Sequence, residues 1–314
     1  MIELLFVMLS LIVLMIASER AVEYTSKLSK ILGLSGLSAG FVILSVATSL
    51  PELFVSINSS IINQIGLSLG NVLGSNIADV TIILGLAFFI SRSRDIKFNT
   101  HSLNGLVQFL FISSLIPLFI LQTGKLTLMM GVILTLMFIF FTLKTEKKIY
   151  GAEELASIHK GDKIILGLKF AVSMLVTILS SKVLVDNSVI LAQDLGVPAS
   201  VIGATIIAFG TSVPELSTTI QAFKKRLFDV GLGNIIGSCI TNLTLVLGVS
   251  SLLNPSTVNI VSFSSLILFT IISMIVTWYF VSDKKIDKKE AIILMGVYVL
   301  FILEELGLSV LKLF

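Results

Sequence analysis

The sequence predicts an all-α membrane protein: ten transmembrane helices in two inverted five-helix repeats, with Pro- and Gly-interrupted helices at an ion site. Three observations predict it: an excess of apolar residues, an alternation of Lys and Arg between successive loops, and a polar motif repeated at a constant offset. Of 314 residues, 55% are hydrophobic and only 13% charged, with a mean hydropathy of +1.04. A soluble domain carries about a quarter charged residues, so this chain lacks the means to cover a water-facing surface. A spanning helix needs roughly 20 mostly apolar residues, and such runs recur along the chain.

Those runs give ten spans, at 2–18, 36–58, 67–91, 103–122, 126–143, 164–190, 199–221, 229–253, 259–281 and 289–312. The first could be mistaken for a signal peptide. Its start carries Glu3 and no Lys or Arg, and no Ala-x-Ala-like site follows Ala17, so it reads as a retained helix. The longest polar stretch, Lys144–Lys163, separates a first five-span repeat (1–143) from a second (164–314). Counting Lys and Arg in alternate loops puts 18 on one side and 2, Lys125 and Lys312, on the other. Positive charge marks the cytoplasmic side, so the 144–163 linker is expected in the cytoplasm and both termini outside, in the plasma membrane.

Residues 31–90 align with 194–253 at a constant offset of 163, with 19 of 60 positions identical. The polar matches carry the argument. Thr48-Ser49-x-Pro51-Glu52 pairs with Thr211-Ser212-x-Pro214-Glu215, and Gly70-Asn71-x-x-Gly74-Ser75 with Gly233-Asn234-x-x-Gly237-Ser238. Each half holds an odd number of spans, so the second enters the membrane from the opposite side, as in secondary transporters that alternate access around a midplane site.

Glu52 and Glu215 each fall in the middle of an apolar span. A carboxylate there is costly and faces a cavity or a partner. Lys182, in the sixth span, is the alternative partner for a lone Glu. Each Glu follows a proline, which removes a backbone donor. Carbonyls of the preceding turn, around Ser45–Thr48 and Ala208–Thr211, are thereby expected to be freed to line a cavity. Thr and Ser hydroxyls lie one turn before each Glu. Ser75 and Asp79, and likewise Ser238 and Asn242, are four residues apart, on one helical face. The product is an all-oxygen site, which suits hard cations such as Ca2+ or Na+ and not zinc or copper. The lone Cys239 permits no intrachain disulfide, and His101 and His159 sit in loop-like polar stretches.

These motifs resemble the paired repeats of the sodium/calcium exchanger family, within the calcium/cation antiporter superfamily. The resemblance implies an antiporter that exchanges Ca2+ for Na+, with Glu52 and Glu215 as central Ca2+ ligands. It implies Na+ sites shared among Thr48, Ser49, Ser75, Thr211, Ser212 and Ser238, with Asp79 and Asn242 flanking the centre. It also implies backbone carbonyl ligands from Ser45 and Ala208. Two departures stand out: Ala47 replaces a common glycine, and the acid of the Asp/Asn pair lies in the first repeat, whereas in some relatives it lies in the second. The runner-up is a Ca2+/H+ antiporter of the same superfamily; such relatives typically carry Gly-Asn, not Thr-Ser, before the site Glu. A cation channel is a third reading, disfavoured by the inverted repeats. There is no nucleophile–base pair and no cofactor loop, so an enzyme is not expected. The expected partners are Ca2+, Na+ and the lipid bilayer, with no cofactor and no nucleic acid.

Overall fold

The computed structural model describes residues 2–31, 44–91, 96–97, 100–144, 160–224, 226–282 and 285–307. The first ten residues of the linker's core, 145–154, and the five after them lie outside the described residues, as do 36–43 of the second span and 308–312 of the last.

Among the described residues, the chain is a succession of helices. Helix α1 (Ile2–Ile31) is followed by α2 (Leu50–Ile61), α3 (Ile65–Ile90), α4 (Thr100–Ser113), α5 (Ile116–Thr123) and α6 (Leu128–Lys144). Then come α7 (Lys160–Leu195), α8 (Ala199–Thr211), α9 (Val213–Lys224), α10 (Phe228–Leu253), α11 (Ile260–Ser282) and α12 (Lys288–Glu305). Five of these are long and apolar enough to cross a membrane, or six when the bent pair α8 and α9 counts as one span. The protein is therefore a multi-pass membrane protein.

The boundaries depart from the apolar runs where polar residues continue a helix. Helix α1 runs on to Ile31, and α7 takes in Lys160 and Lys163, so at about 1.5 Å per residue its 36 residues reach well past a 30 Å hydrocarbon core. His101, expected in a loop, stands in the first turn of α4. The fourth apolar run is split, because Pro117 near the start of α5 lacks the N–H to continue from α4.

The centre belongs to α3 and α10. Of their most apolar windows, 78% and 83% are buried within the protein, against 17% for α7, which lies along α1 at the periphery. Both central helices widen into a π-helical turn, at Asp79–Ile83 and Asn242–Val246, positions 163 apart. Within each turn a threonine, Thr81 or Thr244, donates its hydroxyl to the carbonyl four residues back, that of Ile77 or Ile240. That competition with the backbone ladder favours a local widening.

Two short antiparallel clips join loops. β1 (Ile96–Lys97) pairs with β4 (Lys285–Ile286), with Ile96 opposite Ile286. β2 (Lys125–Leu126) pairs with β3 (Ser256–Thr257), with Lys125 opposite Thr257. Each clip joins two loops that the Lys and Arg count assigns to one side.

Candidate ion site

The site is built where two helices break. Ser49 separates the helical residues 44–48 from α2, and Ser212 separates α8 from α9. Both serines leave helical geometry in the same way, with φ −80° and ψ 7° at Ser49 and φ −81° and ψ 7° at Ser212. The bend between α8 and α9 is 41°. Pro51 and Pro214 follow two residues later and supply no N–H to the carbonyls four residues back, those of Ala47 and Gly210.

The carbonyls of Ser45 and Ala208, expected to be freed, are instead engaged. Ser45 accepts from the backbone N–H of Ser49 at 3.1 Å and lies 3.2 Å from the Thr48 hydroxyl. Ala208 accepts from the Ser212 N–H at 3.1 Å and lies within 3.3 Å of the hydroxyls of Thr211 and Ser75. The carbonyls that lose a proline N–H, those of Ala47 and Gly210, lie within the expected turns, while the Ser45 and Ala208 carbonyls face the hydroxyl cluster.

Glu52 and Glu215 are completely buried, as are Thr48, Ser75, Asp79, Thr211, Ser212, Ser238 and Asn242. Ser212 donates to Glu52 Oε1 at 3.4 Å, and Ser238 to Glu215 Oε1 at 3.0 Å. With the Ser238 proton on Glu215, the 2.8 Å contact between Ser49 Oγ and Ser238 Oγ has Ser49 as donor. Ser75 lies 3.3 Å from Thr211 Oγ1. The breaks and the central helices thus cross-connect, each break touching groups far away in the chain.

Two asparagines that the sequence placed in the repeated motif, but not among the site residues, organise this centre. Thr211 donates to Asn71 Oδ1 at 3.1 Å, and Asn71 Nδ2 reaches Ser56 Oγ at 3.3 Å. At the positions 163 away, Thr48 Oγ1 lies 3.3 Å from Asn234 Oδ1, and Asn234 Nδ2 reaches Thr219 Oγ1 at 3.3 Å. Their signal was present in the sequence, as an identical match at the repeat offset. Asn242 donates to Asn76 Oδ1 at 3.1 Å, and Asn76 to the Cys239 carbonyl at 3.4 Å. Asn76 aligns with Cys239, so no repeated residue pointed to it.

What remains unsatisfied is all acceptor. Glu52 Oε2, Glu215 Oε2, both carboxyl oxygens of Asp79 and Asn242 Oδ1 are buried without a hydrogen-bond partner. Neither Glu forms an ion pair with a described Lys, Arg or His, and Lys182 is exposed on α7. Buried acceptors without donors are costly. An all-oxygen acceptor set has the chemistry that hard cations favour. Among the described residues, no three Asp, Glu, His or Cys side chains are grouped so as to hold a metal ion by themselves.

Comparison with known proteins identifies the family. The family model described as sodium/calcium exchanger protein matches residues 2–144 and 165–304. The sodium/calcium exchanger MaX1 of Methanosarcina acetivorans is 30% identical over 344 residues, covering 95% of this chain and 97% of that protein. The inner membrane protein YrbG of Escherichia coli is 30% identical over 285 residues, covering 85% and 86%. Among solved structures, the sodium-calcium exchanger NCX_Mj superposes with a TM-score of 0.67 at 25% identity, covering 95% of this chain and 97% of that one. The H+/Ca2+ exchanger CAX superposes with a TM-score of 0.77 at 15% identity, a likeness of fold alone, covering 97% and 87%. On the family match across both halves and these relatives, the chain belongs to the sodium/calcium exchanger protein family.

Proposed function

We propose that this protein is a secondary active antiporter that exchanges Ca2+ for Na+ by alternating access, with Glu52 and Glu215 as the shared ion ligands. The observation that carries the reading is the pair of fully buried carboxylates, each with one oxygen held by a serine and one left without a donor. Around them, Thr48, Ser49, Ser75, Thr211, Ser212 and Ser238 supply neutral oxygens for Na+, the Ser45 and Ala208 carbonyls face the same cluster, and Asp79 and Asn242 flank the centre.

The architecture we propose for such transport is ten spans in two inverted halves, 1–143 and 164–314, joined by the 144–163 linker. The hydrogen bonds that recur at the 163-residue offset support it, and so does the pairing of same-side loops by the two strand clips. Following the Lys and Arg count, we place the linker in the cytoplasm and the termini outside, and we take the membrane to be the plasma membrane.

Charge balance gives the coupling. Two ionised glutamates carry about two negative charges, which one Ca2+ or two Na+ neutralise; moving them empty past a low-dielectric interior is unfavourable. Loaded forms switch sides and the empty form does not, which makes an exchanger rather than a leak. Thr48-Ser49 and Thr211-Ser212, where proton-coupled relatives typically carry Gly-Asn, favour Na+. The fold likeness to an H+/Ca2+ exchanger keeps proton coupling as the second reading. The test is Ca2+ uptake by proteoliposomes under separate Na+ and H+ gradients. Uptake driven by outward Na+ and indifferent to pH is the expected result; the reverse replaces Na+ coupling with proton coupling.

A further inference from the structure

Along α2 and α9 the chemical match at the repeat offset holds from the glutamate through the next turn and then breaks. Along α2, Glu52, Ser56 and Ser60 are spaced four apart; along α9, Glu215, Thr219 and Phe223 occupy the equivalent positions. The first two turns match in chemistry, since Ser56 and Thr219 each receive an asparagine, Asn71 or Asn234. At the third turn a buried serine stands opposite a buried phenylalanine.

The neighbours differ in the same sense. Ser60 Oγ lies 2.6 Å from Ser250 Oγ, Ser68 Oγ lies 2.7 Å from Ser250 Oγ, and Asn254 Nδ2 donates to the Ser60 carbonyl at 3.2 Å. These bonds join α2, α3 and α10 through buried hydroxyls. At the equivalent positions Ser68 becomes Gly231 and Ser250 becomes Ala87. The Phe223 ring fills that space. It meets Phe88 edge-on at 4.9 Å between centroids and Phe228 at 5.3 Å. A Cβ added at Gly231 would stand 2.6 Å from the ring.

We propose that Ser60, Ser68 and Ser250 form a wettable ion entrance on one face, while Phe223, seated against Phe88 and Gly231, forms a dry plug on the other. This rests on the reading of Glu52 and Glu215 as the transported-ion site. The physical difference is in what opening exposes. Parted hydroxyls exchange one another for water or for a cation shedding its own water, at little net cost. A parted aromatic cluster exposes apolar surface, and an apolar constriction resists wetting until it widens. The two faces are therefore opened by chemically different steps, and Phe223 sets the access of ions from its own side.

Cys239 is the only cysteine, is buried, and follows Ser238 of the site, so it reports access without an added label. The experiment is modification of Cys239 by a small impermeant cationic thiol reagent, applied separately to each face of oriented proteoliposomes. Phe223→Ser should raise the rate about tenfold or more from the Phe223 face alone, and Phe223→Leu, which keeps an apolar plug, should restore it. Phe88→Ser should act in the same direction if Phe223→Ser does not fold. Ser60→Ala and Ser250→Ala should slow labelling from the opposite face, because the entrance becomes drier. Unchanged labelling in folded Phe223→Ser and Phe88→Ser, or acceleration from both faces alike, overturns the plug. Faster labelling in Ser60→Ala and Ser250→Ala overturns the entrance and leaves the serines as a latch. Saturating Ca2+ should protect Cys239 in every variant. One-sided labelling without Ca2+ protection would refute the ion-site reading while leaving the two entrances standing.

Discussion

At the scale of single residues, the site is governed by acceptors that outnumber donors. Glu52 and Glu215 each keep one serine bond and one unsatisfied oxygen. Removing one member of a buried charged set costs roughly 3–5 kcal/mol, so Glu52→Ala and Glu215→Ala should each lower Ca2+ flux about 100-fold or more. Glu→Gln keeps the shape but not the charge and should still lose most of the flux. Isotope uptake by reconstituted protein measures both; near-normal flux in either alanine variant would refute the assignment. Serines act differently, because they offer a neutral oxygen worth about 1 kcal/mol. Ser49→Ala and Ser212→Ala should each weaken Na+ dependence about fivefold, with a smaller effect on Ca2+/Ca2+ exchange, seen by comparing the two exchange modes in the same vesicles.

At the scale of elements, the central helices owe their approach to glycine. A Cβ on Gly70 would stand 2.3 Å from the Ser200 carbonyl, and one on Gly74 would stand 2.3 Å from the Ala204 carbonyl. The obstacle in each case is backbone of α8, which cannot rotate away as a side chain can. Gly74→Ala should therefore force α3 and α8 apart, at a cost of about 1–3 kcal/mol. The Ser75 bonds to Thr211 and Ala208 cross that same contact, so Ca2+ affinity should fall with melting temperature. Gly167→Ala, in α7, has nothing within 4 Å of the added atom and should leave both unchanged. Near the C-terminal end of α1, Glu23 accepts from Lys27 at 2.6 Å and from Arg20 at 3.1 Å, and these bonds hold its carboxyl below the usual range. A depressed folded-state value gives stability that is present at neutral pH and lost as pH falls through it. For so exposed a group the effect is small, and Glu23→Gln should leave thermal stability at pH 7 within measurement error.

At the scale of the whole molecule, alternation of charge and sharing of one site make distinct predictions. On the proposed orientation, a cysteine placed at Lys147 should react only from the cytoplasmic face, and one at position 2 only from outside; the opposite pattern would invert it. On the proposed sharing of the two carboxylates by Na+ and Ca2+, external Na+ should raise the Ca2+ concentration needed for half-maximal uptake without lowering the maximal rate. A fall in maximal rate at constant half-saturation would place Na+ at a separate site.

The sequence by itself determined the membrane class, the two break motifs and the acids behind them. These depend on local quantities: apolar run length, a proline that lacks its N–H, and residue types that recur at a fixed offset. Asn71 and Asn234 were legible in the same way, though their part as organisers of Thr211 and Thr48 was not. Tertiary structure alone decided which oxygens meet. Ser49 bonding Ser238, and Ser212 bonding Glu52, span 189 and 160 residues of chain. It also decided that the Ser45 and Ala208 carbonyls are engaged by N–H and hydroxyl groups, since helix geometry across the break sets that bond, not the presence of proline. The loss of symmetry at Ser60 and Phe223 can be seen in the sequence as a mismatch like many others. Only the packing of Phe223 against Phe88 and Gly231, where hydroxyls stand on the other face, gives that mismatch a meaning, because an aromatic ring and a serine differ in function only through what surrounds them.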